Sequence, residues 1–271
     1  MRYAVIGGDI RFAHLARMLS EAGRDARGVL QEKAGVESIP LSELRKCSAV
    51  ISNWPMRWPL AEKGADEGEI FEYLQPGTTL LLCGPKFPAE RRWDLQYVNL
   101  WADERLLQEN AWLTAEGAVA SAVSRNGFPI MGSKCAVIGY GRIGRALTEI
   151  LMNLGGGVTV FSQTAAKRRL AMECGADAVD LIEAADCMHQ FDFIFSTPPA
   201  IVLGREVLEK VHKDALILDL ASPPYGVDMD AAREIGLKAI REPGLPGRYC
   251  PLSAARAIYG AVLRWEEENH G

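Results

Sequence analysis

The strongest chemical signal in the chain is the run Gly139-Tyr140-Gly141-Arg142-Ile143-Gly144. It follows the apolar stretch Cys135-Ala136-Val137-Ile138 and leads into a segment with apolar residues at Ile143, Leu147, Ile150 and Leu151, so its glycines fall at a strand-to-helix turn. At such a turn Gly139 permits the tight reversal, Gly141 lets a pyrophosphate approach the backbone, and Gly144 lets the helix pack closely on its strand. Arg142 and Ile143 open that helix, whose N-terminal amides hold phosphate. About twenty residues on, where an acid would bind the ribose hydroxyls of NAD, residues 158–169 contain no acid. Ser162, Gln163 and Thr164 offer hydroxyls and an amide there, and Lys167, Arg168 and Arg169 offer positive charge to a 2′-phosphate. That pattern favours NADP and leaves NAD open.

A second turn, Ile6-Gly7-Gly8-Asp9-Ile10-Arg11-Phe12, keeps only the first glycine of the same spacing, with Asp9 and Phe12 at the other two places. A carboxylate and a bulky ring would obstruct a pyrophosphate, so this turn suits a small substrate or a purely structural role. Arg11 offers a forked guanidinium to a substrate carboxylate, or else pairs locally with Asp9. The four histidines and six cysteines are scattered without ligand spacing, so no metal site is expected. The cysteines read as reduced, small apolar packing groups.

These residues need a scaffold, and the chain supplies short apolar runs alternating with helical segments, the pattern of α/β domains with parallel sheets. Strands are expected at residues 3–8, 49–52, 79–83 and 96–99, with a helix over 11–22. A long helix over 104–126 then links to strands at 134–138, 158–161, 193–196, 216–220 and 238–241, with helices over 142–154 and 165–174. Residues 243–247 are Pro/Gly-rich, and a terminal helix covers 252–268. The expected architecture is α/β: two Rossmann-like, doubly wound parallel-sheet lobes linked by long helices. Residues 1–110 form a flavodoxin- or Rossmann-like substrate or partner lobe, and 111–250 an NAD(P)-binding Rossmann domain. Residues 251–271 form a C-terminal helix packing back on the first lobe.

Composition narrows the partners. The chain has 271 residues with 48% apolar and 24% charged side chains, the balance of a folded globular protein and not of a disordered one. Lysine and arginine total 30 against 35 acids, and no basic stripe is present, so nucleic acid is not an expected partner. No apolar run approaches the roughly 20 residues needed to span a bilayer. Residues 1–8 lack a signal peptide's layout, and a cytoplasmic address with no membrane partner is expected.

Five segments together carry a family resemblance. They are Ala4-Val5-Ile6-Gly7-Gly8-Asp9 with Arg11, Thr114-Ala115-Glu116-Gly117, Ala136-Val137-Ile138-Gly139-Tyr140-Gly141-Arg142, Leu216-Ile217-Leu218-Asp219-Leu220-Ala221-Ser222 and Pro243-Gly244-Leu245-Pro246-Gly247. In these the chain resembles the A-subunit family of dipicolinate synthase, two-lobed relatives of the D-2-hydroxyacid dehydrogenases. The resemblance implies NADP-linked dehydration and oxidation of a cyclic hydroxy-tetrahydrodipicolinate to pyridine-2,6-dicarboxylate in spore formers. It further implies a partner of flavoprotein fold, like the B-subunit of dipicolinate synthase, and a small dicarboxylate substrate, and it leaves a homo-oligomer open. By likeness to the hydroxyacid dehydrogenases, Thr197, Pro198 and Ala221 line the nicotinamide ribose and ring. Ser222 and Glu116 face substrate as the catalytic candidates, and Asp9 and Arg11 are the substrate-binding ones. The chain departs from the family pattern at Gln163, where Arg is frequent, and at Pro223-Pro224-Tyr225-Gly226, where the pattern is Arg-Pro-Gly-Gly. No histidine pairs with an acid as in the hydroxyacid dehydrogenase dyad, which keeps two alternatives in view. One is a dehydrogenase of another 2-hydroxy or imino acid, the other a non-catalytic dinucleotide-binding scaffold protein. Trp54 and Trp58 either wall a ring-binding cleft or cover core surface.

Overall fold

The computed structural model describes residues 1–31, 37–55, 67–84 and 92–270. In chain order the first elements are β1 (Arg2–Ile6), α1 (Ile10–Glu21), β2 (Asp25–Val29), β3 (Ala49–Asn53), α2 (Glu67–Glu72), β4 (Thr79–Cys83) and β5 (Gln96–Asn99). A long α3 (Glu104–Arg125) follows, then β6 (Lys134–Ile138), α4 (Arg142–Asn153), β7 (Gly157–Phe161), α5 (Ala165–Glu173), β8 (Asp177–Val179) and α6 (Ala184–Cys187). The chain ends with β9 (Phe193–Ser196), α7 (Arg205–Leu208), β10 (Leu216–Asp219), α8 (Met229–Ile235), β11 (Lys238–Arg241), α9 (Leu245–Tyr249) and α10 (Pro251–His270). It divides into two compact units, Met1–Asn110 with Cys250–Gly271, and Ala111–Tyr249.

The first unit holds a parallel five-stranded sheet in the order β2-β1-β3-β4-β5. Side chains alternate across a strand, so Tyr3 and Val5 of β1 pack on one face with Phe12, Leu15 and Leu19 of α1 and Ile258 and Val262 of α10. Ala4 and Ile6 pack on the other with Val50, Leu80, Leu82 and Ile70. Burial on both faces explains why β4 reads Thr-Leu-Leu-Leu-Cys without a polar alternation. Trp54 is half-buried and stacks on Phe71 of the same core, with ring centres 6.5 Å apart, while Trp58 lies outside the described residues.

In the second unit six parallel strands run β11-β10-β9-β6-β7-β8. The chain starts at the central β6, winds outward through β7 and β8, then crosses to β9, β10 and β11 on the far side. That doubling back puts a crevice at the carboxyl ends of β6 and β9, where open α/β sheets bind ligands. Val137 and Leu218 face a core shared with Ala115 and Ala118 of α3 and Leu147 and Leu151 of α4. Ala136 and Ile217 face the opposite core with Leu208, Ala231 and Ala232. Two parallel α/β lobes are thus observed, as the alternation of runs implies. The apolar pattern does not anticipate the edge strands β2 and β8, nor the helix α9 that begins within residues 243–247. Among the described residues no helix is long and apolar enough to cross a membrane, and no group of acids, histidines and cysteines could hold a metal ion.

Candidate functional site

The glycine turn after β6 shows what each glycine is for. Gly139 has φ +88°, and a Cβ there would lie 2.6 Å from Thr197 Oγ1 and 3.0 Å from Pro198 Cγ. A Cβ on Gly144 would lie 2.1 Å from the Gly139 carbonyl oxygen, so α4 can approach β6 only without one. Gly141 is different. Its φ of −89° suits any residue, and a Cβ there would meet nothing within 4 Å. It caps α4 without a side-chain hydrogen bond, where Ser or Asp would cap better. The backbone at Gly141, just before the first helical amides of Arg142 and Ile143, therefore borders open space. Tyr140, between the glycines, is a core residue, and burial together with its hydrogen bond to Cys174 pushes its phenol up to about 12.

The next strand ends beside this turn, since Ile138 of β6 is in register with Phe161 of β7. Beyond it a cavity of about 540 Å³ is lined by Gln163, Asp180, Leu181, Ile182, Ile201 and Val202. Ile182 and Ile201 are 87% and 55% exposed, apolar surface that a flat ring could cover. Ser162 is buried, and its hydroxyl accepts a hydrogen bond from the Thr164 amide at 3.3 Å. Arg168 donates to the Ser162 carbonyl at 2.6 Å and pairs with Asp180 at 2.8 Å. Gln163, Thr164 and Lys167 are exposed, and among the described residues Lys167 has no ion pair. Asp180, Ile182 and Ile201 do not emerge from the sequence: Asp180 follows the unpatterned β8, and an isolated isoleucine carries no motif.

Loops after β9 and β10 complete the surface. Thr197 donates to the Ile138 carbonyl through its amide at 3.1 Å and its hydroxyl at 2.9 Å, which fastens the Thr197-Pro198 step to the glycine turn. Ala221 is buried and Ser222 exposed at the start of the next loop. That loop is anchored by the buried carboxylate of Asp219, which accepts from the amides of Ala221 at 3.2 Å, Gly226 at 3.2 Å and Val227 at 3.3 Å. It is locked against β9 as well, because a Cβ on Gly226 would lie 2.2 Å from Ser196 Oγ and 2.9 Å from the Pro198 carbonyl. Glu116 stands exposed in the middle of α3, not at a helix end, so it does not cap the helix.

In the first unit, Asp9 caps α1 by accepting from the Arg11 amide. Its two oxygens also receive Arg11 Nε at 2.8 Å and Nη2 at 2.7 Å. The local pair is thus formed, and the Nη1 edge is what Arg11 retains for another anion. A Cβ on Gly8 would fall 2.3 Å from the buried Phe12 ring, which fills the space beside this turn.

Residues 99–223 match the family described as D-isomer specific 2-hydroxyacid dehydrogenase, NAD binding domain. With the parallel six-stranded sheet and its glycine turn, this supports a nicotinamide-dinucleotide-binding oxidoreductase of the dehydrogenase type. The chain is 26% identical to the A-subunit of dipicolinate synthase from Bacillus subtilis (strain 168), over 97% of this chain and 95% of that protein. Among solved structures it superposes on the dipicolinate synthase A-subunit from Bacillus halodurans with a TM-score of 0.85, at 23% identity and 97% coverage of each chain. The corresponding dipicolinate synthase structure from Bacillus subtilis gives a TM-score of 0.84, at 24% identity, over 99% of this chain and 96% of that one. The resemblance to the A-subunit family of dipicolinate synthase read from the motifs is therefore shown across nearly the whole chain.

Proposed function

We propose that this chain is an oxidoreductase like the A-subunit of dipicolinate synthase that uses NADP, acting in the cytoplasm of a spore-forming cell with a partner of flavoprotein fold like that enzyme's B-subunit. The observation that carries the dinucleotide site is Gly141, the one glycine of the turn with no reason for its bare backbone inside the protein. In this reading the amides at Arg142 and Ile143 take the pyrophosphate, Gly139 and Gly144 shape the turn, and the cavity beside Gln163 takes the adenosine end. Ser162, Gln163, Thr164 and Lys167 surround the 2′-position. Asp180 would repel a phosphate there, but Arg168 neutralises it, leaving the Lys167 charge uncompensated. The nicotinamide ring, when bound, supplies a hydride acceptor.

The substrate we assign is a cyclic hydroxy-tetrahydrodipicolinate, which loses one water and then a hydride and a proton to give pyridine-2,6-dicarboxylate. Thr197, Pro198 and Ala221 form the wall against which the ring and ribose lie. Within the second unit the Ser222 hydroxyl orients the substrate and Glu116 accepts the proton. Within the first unit Arg11, held by Asp9, is the candidate group for a carboxylate. The direct test supplies NADP and enzymatically generated hydroxy-tetrahydrodipicolinate, with and without the candidate partner. Coupled growth of reduced-nicotinamide and pyridine-dicarboxylate absorbance is expected. Neither signal with a competent partner, despite NADPH binding, would overturn the substrate assignment and point to another hydroxy or imino acid.

A further inference from the structure

We propose that Arg241 is a carboxylate receptor, held ready by Tyr225 and Asp219 at the carboxyl ends of β10 and β11. This role rests on the function just proposed and names a contact its substrate makes within the second unit.

Arg241 is the last residue of the edge strand β11, in register with Asp219. Its guanidinium carbon lies 3.7 Å from the centre of the Tyr225 ring. A guanidinium stacked at that distance uses its face, and its in-plane N–H donors remain available at the edge. Those donors are not consumed by the protein. Arg241 Nε is 3.7 Å from Asp219 Oδ2, beyond hydrogen-bond reach, and no other described residue bonds the guanidinium. Other arginines of the same unit behave differently: Arg168 closes on Asp180 to 2.8 Å and Arg125 on Glu242 to 3.0 Å. A guanidinium recruited only to neutralise Asp219 would close in the same way. Instead the oxygens of Asp219 are taken by the amides of Ala221, Gly226 and Val227, so its charge steers Arg241 without bonding it.

Tyr225 adds a further sign of a built arrangement. It holds φ +72°, a left-handed conformation that side-chain-bearing residues rarely adopt, at the close of a turn in which its amide donates to the Ser222 carbonyl at 2.9 Å. One loop thus carries the exposed Ser222 hydroxyl and, three residues on, the ring that supports Arg241. The Arg241 side chain is 36% exposed, open to a ligand. A planar, charged fork with a fixed face and free edge matches a planar carboxylate by two parallel N–H···O bonds.

The test uses the full chain saturated with NADPH and measures binding of pyridine-2,6-dicarboxylate by calorimetry, for wild type, Arg241→Gln and Arg241→Lys. Removing two charge-assisted bonds is expected to weaken the dicarboxylate at least about a hundredfold in the glutamine variant, with the lysine variant between, since it keeps the charge but loses the fork. NADPH affinity and melting temperature stay at wild-type values in both. The lysine variant preserves the charge facing Asp219, so it reads fork geometry even if the glutamine variant fails to fold. Dicarboxylate affinity unchanged in both variants overturns the proposal, as does parallel loss of dicarboxylate, NADPH and thermal stability, which marks a structural role. Wild type that binds NADPH but not the dicarboxylate also overturns the receptor, whereas wild type that fails to bind NADPH overturns the functional reading beneath it.

Discussion

Replacing Gly141 by valine separates a ligand's demand for bare backbone from the fold's. The backbone there is extended, at φ −89° and ψ −162°, which a β-branched residue accepts, and a Cβ would meet nothing within 4 Å. Folding stability is therefore expected to change by no more than about 1 kcal/mol, the scale of an altered helix cap, or roughly 2–4 °C in melting temperature. Binding is expected to respond very differently. The isopropyl group occupies the space through which a pyrophosphate reaches the helix amides, and each charge-assisted hydrogen bond lost there is worth about 1.5–3 kcal/mol. Loss of two gives about 3–6 kcal/mol, or at about 1.4 kcal/mol per decade a weakening of at least roughly a hundredfold. Calorimetric titration with NADPH reads this directly, and the nucleotide-induced rise in melting temperature expected of wild type should vanish in the variant. Gly144→Ala is the internal control: its Cβ would strike the Gly139 carbonyl at 2.1 Å, so it should lose stability and binding together. A Gly141→Val protein that binds NADPH within about threefold of wild type, a shift of under about 1 kcal/mol, would refute the placement of the pyrophosphate.

Asp180→Asn should free Arg168 from its 2.8 Å pair and raise the preference for NADPH over NADH by about tenfold, an effect moderated by solvent because both groups are partly exposed. A ratio that stays level or falls would remove this pair from cofactor selection. Glu242 is buried, and although burial opposes its charge, hydrogen bonds from Ser121 and Arg248 and the charges of Arg248 and Arg125 hold its carboxyl below the ordinary range. A carboxyl held lower in the folded state contributes stability at neutral pH and loses it as acidity passes its folded value, so wild type should weaken below about pH 4. Glu242→Gln should cost about 2 kcal/mol at neutral pH and flatten that acid limb, and melting curves from pH 3 to 7 with no difference between the two proteins would contradict it. Gly226→Ala should destabilise by about 1–3 kcal/mol, since its Cβ would lie 2.9 Å from the Pro198 carbonyl, and an unchanged melting temperature would show the loop to be less tightly seated than these contacts require.

The parts of the fold legible in the sequence are those whose burial imprints a pattern. β4, β6, β9 and β10 are covered on both faces and appear as unbroken apolar runs. β2 and β8 are edge strands, and Asp25-Ala26-Arg27-Gly28-Val29 and Asp177-Ala178-Val179 show no such run; their identity comes from pairing with β1 and β7. The same blindness hides half of the cavity. Its Gln163 wall follows the well-patterned β7, but Asp180 and Ile182 follow β8, so an acid absent from the second strand's end stands in the same cavity from the third. Arg241 escapes for a related reason: its significance lies in the ring of Tyr225, sixteen positions earlier in the sequence, and no spacing rule joins the two.

The glycine turn sharpens what a motif can be asked to prove. Gly139 and Gly144 would be required in any domain that turns so tightly from β6 into α4, since their missing side chains make room for Thr197, Pro198 and the Gly139 carbonyl. They would persist in a domain that bound nothing. Only Gly141 lacks an internal reason, and it occupies a cap position where a residue with a side-chain oxygen would make the helix more stable. A residue that the fold tolerates at some loss of stability, beside open space and the amides of a helix N-terminus, is accounted for by an anion approaching from outside. The middle glycine therefore separates an occupied dinucleotide site from an empty domain of the same shape more sharply than the full pattern does.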